Sequence, residues 1–117
     1  MIVQLKEFDK MNLIGFFLHD LLKNNLKKGS CEETARRMNG AFLFEASRMQ
    51  ITLVFQKESI EIHPGKVAKI NSKITGEMND LLDVALGKSY LQLLFTGKIK
   101  IGGNIFKLLK LLRVLRY

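Results

Sequence analysis

A chain of 117 residues with 47% hydrophobic and 26% charged residues has the length of one domain, expected to span residues 1–117, and excludes wholesale disorder and collagen-like repeats. A lone cysteine, Cys31, excludes an internal disulfide and with it a secreted, disulfide-stapled scaffold. The formal net charge of +8 is unevenly placed: residues 1–83 hold 12 Lys and Arg against all 11 acids, whereas residues 84–117 hold Lys88, Lys98, Lys100, Lys107, Lys110, Arg113 and Arg116 with no acid. The last third therefore favours an anionic partner, lipid surface or nucleic acid, unless it is simply a solvated basic face.

The first residues, MIVQLKEFDK, lack the pattern of a secretory signal, and no apolar run has the length of a membrane span, so the expected location is the cytoplasm. From Asp9 to Lys28, the residues Met11, Ile14, Phe17, Leu18, Leu21 and Leu22 recur at steps of three and four and predict an amphipathic helix stopped by Gly29. Ser30 and Glu33 have capping-box spacing and predict a short helix ending at Asn39-Gly40. From Ala41 the period falls to two. Phe42, Phe44 and Ala46, then Ile51, Leu53 and Phe55, then Ile60 and Ile62 predict three strands joined at Ser47-Arg48 and Lys57-Glu58. His63-Pro64-Gly65 predicts a tight reversal into a fourth strand over 67–75, with Ala68, Ile70, Ser72 and Ile74 on one face, and hence an antiparallel meander.

After Gly76, the residues Met78, Leu81, Leu82, Ala85 and Leu86 return to helical spacing as far as Gly87. SYLQLLF predicts a further short helix, residues 98–101 alternate as a fifth strand, and Asn104 after Gly102-Gly103 is placed to cap a last helix. This succession predicts an α+β fold, a five-stranded, mostly antiparallel sheet covered by helices. In the last helix, Ile105, Leu108, Leu111, Leu112 and Leu115 share an arc of about 120° that would seat it on the sheet. Phe106, Leu109 and Val114 fall outside that arc, among Lys107, Lys110, Arg113 and Arg116. Such a face suits an interfacial helix between headgroups and acyl chains; it equally suits packing on the first helix or on a second copy, so a homodimer stays open.

Residues for catalysis are sparse. His19 and His63 have no nucleophile in a recognisable arrangement, and the acids Glu32 and Glu33 beside Cys31 oppose a reactive thiolate. The chain is therefore read as no enzyme, with no cofactor and no metal set. Gly87-Lys88-Ser89 resembles the end of a phosphate-binding loop, but Leu82 occupies the place of the required earlier glycine. Nucleic acid is not the expected partner either: the basic third offers only Tyr90, Phe95, Phe106 and Tyr117 as stacking aromatics, without a recognisable nucleic-acid motif.

The segment FTGKIKIGGNIFKLLKLLRVL, residues 95–115, resembles the closing motif of the sterol carrier protein family, the type-two sterol-transfer domain, through Phe95, Gly97, Lys98, Ile99, Lys100, Ile101, Gly103 and Asn104. The similarity extends upstream through KITGEMNDLLDVALGK and more loosely to Gly40. INSKIT departs from the family by lacking an Asp found in many members, and the ending Leu115-Arg116-Tyr117 carries no peroxisomal address, which points to a free-standing prokaryotic member. The resemblance implies a sheet and helices around an apolar tunnel for fatty acids, sterols or other lipids, serving non-catalytic transfer or, alternatively, presenting an apolar substrate to a partner enzyme. Phe44, Leu53, Phe55, Ile62, Leu82, Leu91, Leu94, Ile101 and Leu112 would then line the tunnel or pack the core, with Phe106 and Leu109 at its entrance. Lys107, Lys110, Arg113 and Arg116 would dock the tunnel mouth transiently on an anionic membrane.

Overall fold

The computed structural model describes residues 1–67, 69–86 and 90–116, with the backbone alone at Tyr90 and Leu91. Ala68 of the expected fourth strand, the expected helix end at Gly87, the Gly87-Lys88-Ser89 triplet, Tyr117 and the side chains of Tyr90 and Leu91 lie outside the described residues. The elements in chain order are β1 (Ile2–Leu5), a 3-10 turn (Phe8–Lys10), α1 (Leu13–Asn25), α2 (Gly29–Arg36), β2 (Gly40–Ala46), β3 (Met49–Phe55), β4 (Ser59–Pro64), β5 (Ser72–Gly76), α3 (Met78–Ala85), α4 (Tyr90–Phe95), β6 (Ile99–Gly103) and α5 (Ile105–Leu115).

The expected α+β class holds, but the sheet is six-stranded and mixed, in the order β1-β4-β3-β2-β5-β6. The missed strand is β1, which pairs in parallel with β4 so that Val3 and Leu5 stand opposite Ile60 and Ile62. Four residues are too few for a period of two to stand out. The meander is also corrected: β2, β3 and β4 are antiparallel neighbours as expected, whereas β5 pairs in parallel with β2. Gly65 does adopt the positive φ of 77°. From there the chain crosses the sheet instead of reversing, and Thr52 anchors the crossing: its hydroxyl donates to the Gly65 carbonyl at 2.7 Å and accepts from Val67 N–H at 3.4 Å. The fourth predicted strand shrinks accordingly from 67–75 to Ser72–Gly76.

Helix boundaries move for local reasons. The first helix begins at Leu13 because the Asn12 side chain accepts from Gly15 N–H at 3.2 Å, and the same amide donates to the Gln50 carbonyl at 3.0 Å. Gly29, expected as a stop, is instead the first residue of α2; Lys28 is the cap, and the Ser30–Glu33 capping box does not form. Glu33 pairs with Arg37 one turn on.

One face of the sheet carries Phe42, Phe44, Leu53, Phe55, Ile60, Ile62 and Ile74, all at most 4% exposed. Ile14, Leu18 and Leu22 of α1 and Leu108, Leu111, Leu112 and Leu115 of α5 complete the same core, and Phe42 meets Phe55 edge to face at 5.5 Å. Burial of one such side chain contributes about 1.5–3 kcal/mol.

The turn between β6 and α5 admits little change. Gly103 has φ 79°, and a Cβ there would stand 2.3 Å from the Asn71 carbonyl oxygen, a backbone atom that cannot swing aside. Gly103→Ala is expected to lower stability by at least about 2 kcal/mol, read as a shift of the urea unfolding midpoint; an unchanged midpoint would contradict this packing.

Candidate functional site

The last helix, α5, is held at both ends. At its start the Asn104 side chain accepts from Lys107 N–H at 3.1 Å. The Asn104 N–H donates to the Asn71 carbonyl at 2.8 Å, and the Ser72 hydroxyl donates to the Asn104 carbonyl at 2.6 Å. Asn71 is itself fixed to the start of β2, accepting from Ala41 N–H on its side chain at 2.9 Å. At the far end, the buried Asn25 amide donates to the carbonyls of Val114 at 3.1 Å and Leu115 at 3.0 Å, two of the acceptors that a helix terminus leaves open. Cys31 reaches the Val114 carbonyl with its thiol. Burial pushes that thiol's pKa up, with Lys28 offsetting part of the effect, so Cys31 is a neutral core side chain.

These clamps turn α5 from its expected setting. Ile105, expected in the core arc, is 55% exposed, while Val114, expected outside, is fully buried. The arc is displaced because α5 packs against α1 and α2 as well as the sheet. Phe106 (80% exposed) and Leu109 (37%) face outward beside Lys110 and Arg113, which are also exposed. Lys107 is half-buried, its ammonium donating to the Asn39 carbonyl at 3.3 Å and side-chain oxygen at 3.1 Å. Among the described residues no carboxylate pairs with Lys107, Lys110 or Arg113, whereas Arg37 and Lys73 each have one and Arg36 has two. An apolar and cationic stripe therefore lies side by side on a rigidly seated helix.

The residues expected to line a tunnel or stand at its entrance fall into three places. Phe44, Leu53, Phe55, Ile62 and Leu112 are packed in the core; Leu82, Leu94 and Ile101 are half-buried; Phe106 and Leu109 lie on the outer stripe. The side chain of Leu91 is outside the described residues. Arg37, at the end of α2, went unsingled in the sequence. With Lys107 and Lys110 it lines a small cleft of about 40 Å³ over Met38 and Phe42. Seventy residues separate Arg37 from Lys107, so only the fold brings them together.

On the other face of the sheet, an open cleft of about 250 Å³ is lined by Leu43, Glu45, Gln50, Ile70 and Lys73, among others. Glu45 there is occupied by its own chain, accepting from Gln50 at 2.6 Å and from Thr75 at 3.3 Å, with Lys73 at 3.3 Å. The Gln50 hydrogen bond, assisted by Lys73 and Thr75 and opposed by burial, holds its carboxyl below the ordinary value. Hydrogen bonds from Arg36 lower Glu32 and Glu58 likewise.

A mixed sheet with helices packed on it, closed by a clamped helix with an outward basic and apolar stripe, defines a small α+β domain. Residues 18–116 match the SCP-2 sterol transfer family, and the chain belongs to that family. No curated protein is significantly similar in sequence. Among solved structures, the fold is similar to the UbiJ-SCP2 ubiquinone synthesis protein at 13% identity, with a TM-score of 0.75 over 88% of this chain and 93% of that one. It is also similar to the sterol carrier protein domain 2 of Helicoverpa armigera (20% identity, TM-score 0.67, covering 91% and 93%). A third likeness is to sterol carrier protein 2 from Yarrowia lipolytica in its apo form (19%, 0.62, 91% and 94%).

Two measurements check the site's construction. Asn25→Ala removes the buried amide from both carbonyls, leaving Leu115 without it and Val114 with only the weak Cys31 thiol, and is expected to lower stability by about 1–3 kcal/mol in urea unfolding. Lowered carboxyl pKa values stabilise the fold above the ordinary carboxylate value near 4.5, and that contribution is lost as pH falls through the lower folded-state values. Thermal midpoints should accordingly drop on acidification below about pH 4.5, and Glu45→Gln should flatten that dependence.

Proposed function

We propose that the protein binds and transfers fatty acids or other lipids without catalysing a reaction, and that α5 is the edge it sets on anionic membranes. The observation that carries this reading is the stripe on α5: Ile105, Phe106 and Leu109 exposed beside Lys107, Lys110 and Arg113, which pair with no carboxylate among the described residues. Water suits the cations and not the phenyl ring, whereas a lipid interface suits both. Membership in a sterol transfer family supports the lipid as guest.

An acyl chain of about fourteen methylenes gains about 11 kcal/mol on leaving water, at about 0.8 kcal/mol each. In a bilayer that gain is already realised, so extraction into a protein is nearly neutral, and the carrier's task is to spare the chain its passage through water. Docking does so. Each Lys or Arg near an anionic surface adds about 1 kcal/mol, enough for Lys107, Lys110, Arg113 and Arg116 together to give reversible binding. The guest's seat in this reading lies at the half-buried Leu82, Leu94 and Ile101, with Phe44, Leu53, Phe55, Ile62 and Leu112 as the wall behind. Loading then requires α3 and α4 to shift from the sheet.

A second reading is motivated by the likeness to a ubiquinone synthesis protein: the domain presents an apolar substrate to a partner enzyme, and α5 meets protein instead of lipid. Native mass spectrometry of the purified chain, followed by solvent extraction, separates the two. A co-purifying amphiphile supports the carrier, while a stoichiometric protein partner with no amphiphile supports presentation; a doubled mass would reveal a homodimer. For docking, the Lys107→Glu, Lys110→Glu, Arg113→Glu triple variant should lose about a hundredfold in affinity for acidic vesicles at low salt. Wild-type binding should weaken as salt is raised. Unchanged vesicle affinity in the triple variant rejects the docking edge.

A further inference from the structure

We infer that the cleft between the end of α2 and the second turn of α5 is a seat for one phosphate group of an anionic phospholipid. The inference rests on the docking role proposed for α5 and adds to it a defined headgroup contact and a residue from another element, Arg37.

Three cations converge there: Arg37 from the end of α2, and Lys107 and Lys110, neighbours three positions apart on α5. The floor is apolar and closed, with Phe42 fully buried and Met38 6% exposed. A shallow space of about 40 Å³ takes a small polar group and no acyl chain. The donors are partly set in advance. Two hydrogen bonds from the Lys107 ammonium to Asn39 fix its position and leave one proton free. Arg37 spends Nη2 on Glu33 at 2.7 Å, and its planar fork keeps other donors in the geometry that matches phosphate oxygens. Set against these three cations, Glu33 is one carboxylate, so the cleft keeps an excess of positive charge over the buried side chains of Phe42 and Met38, which suits charge-assisted hydrogen bonds to an anion.

The neighbourhood identifies the source of the phosphate. Lys110 on the rim is one helical turn beyond Phe106 and adjacent to Leu109, so the cleft runs directly into the exposed apolar stripe. Free phosphate would fill the cleft and leave the stripe in water. A phospholipid fills the cleft with its headgroup and covers Phe106 with its tails.

The test compares vesicles of phosphatidylcholine and phosphatidylglycerol with vesicles given the same surface charge by oleate, and with inorganic phosphate in solution. Arg37→Gln should weaken binding to the phosphatidylglycerol vesicles about tenfold, and should cost clearly less with oleate. Arg48→Gln removes the same charge at the β2–β3 turn, about 20 Å away along β2, and should change binding less than about twofold. Glu33→Gln removes the competing carboxylate and should tighten binding several-fold. Arg37 and Glu33 are 76% and 67% exposed, so neither change threatens folding.

Equal losses for Arg37→Gln and Arg48→Gln would overturn the seat while leaving α5 docking in place. Wild-type protein that ignores all acidic vesicles would overturn the docking role and the seat together. Perturbation of the Arg37 and Lys107 NMR signals by millimolar inorganic phosphate, without vesicle binding, would overturn the lipid as its source.

Discussion

The buried amide of Asn25 and the hydrogen-bonded knot of Asn71, Ser72 and Asn104 decide how α5 sits, and most of what the protein can do at its surface depends on that seating. An 11-residue helix is marginal on its own in water. Its leucines alone would tolerate more than one rotation, because Leu, Ile and Val occur on nearly every side. Hydrogen bonds are less forgiving: Asn25 reaches the Val114 and Leu115 carbonyls in one setting, and an amide buried without acceptors costs about 1–3 kcal/mol. That setting buries Val114, exposes Ile105 and Phe106, and turns Lys110 toward Arg37. Polar contacts thus choose among arrangements that the hydrophobic effect leaves close in energy.

Local and non-local information divide cleanly between sequence and structure. Alternation through Phe42–Phe44–Ala46 and Ile51–Leu53–Phe55 was sufficient to read β2, β3 and their antiparallel pairing, since both strands bury one face and share a two-residue joint. The Asn104 cap was readable because it bonds Lys107, three residues on. Long connections were not. The Pro64-Gly65 signal describes a bend at one point, and what the chain meets afterwards is settled by Thr52 and by pairing with β2, both distant in sequence. The Arg37 cleft is hidden for the same reason, while the face of α5 was misjudged at Ile105 and Val114 because a helical wheel assumes one packing surface and α5 has several.

Charge follows a related logic. Several carboxylates in the first two thirds of the chain are engaged by neighbours: Glu32 and Glu58 by Arg36, Glu45 by Gln50, Thr75 and Lys73, Glu61 by Lys6. No acid remains in the last third to answer its cations. Uneven charge in the sequence thereby becomes a field on one helix, and that field recruits Arg37, whose own partner Glu33 is exposed and weakly bound to it in water.

The core that the described residues pack around Phe42, Leu53, Ile62 and Leu112 bears on how a domain of this size would hold a guest in the carrier reading. An empty cavity costs roughly 24 cal/mol per Å³, so about 300 Å³ of standing void, a modest ligand pocket, would cost about 7 kcal/mol. That is comparable to the whole stability of a typical domain, about 5–15 kcal/mol. A permanently hollow apo state is therefore a poor solution for a chain of 117 residues. In the carrier reading, a layer that closes over the half-buried Leu82, Leu94 and Ile101 would avoid the void, and a guest that brings about 0.8 kcal/mol per buried methylene would offset the cost of opening it. In the carrier reading, the half-buried layer under α3 and α4 yields to the lipid, while the core held by Phe42, Leu53, Ile62 and Leu112 and the two clamps on α5 stay fixed. In that same reading the α5 edge keeps its geometry whether the domain is loaded or empty, which is what repeated docking would require.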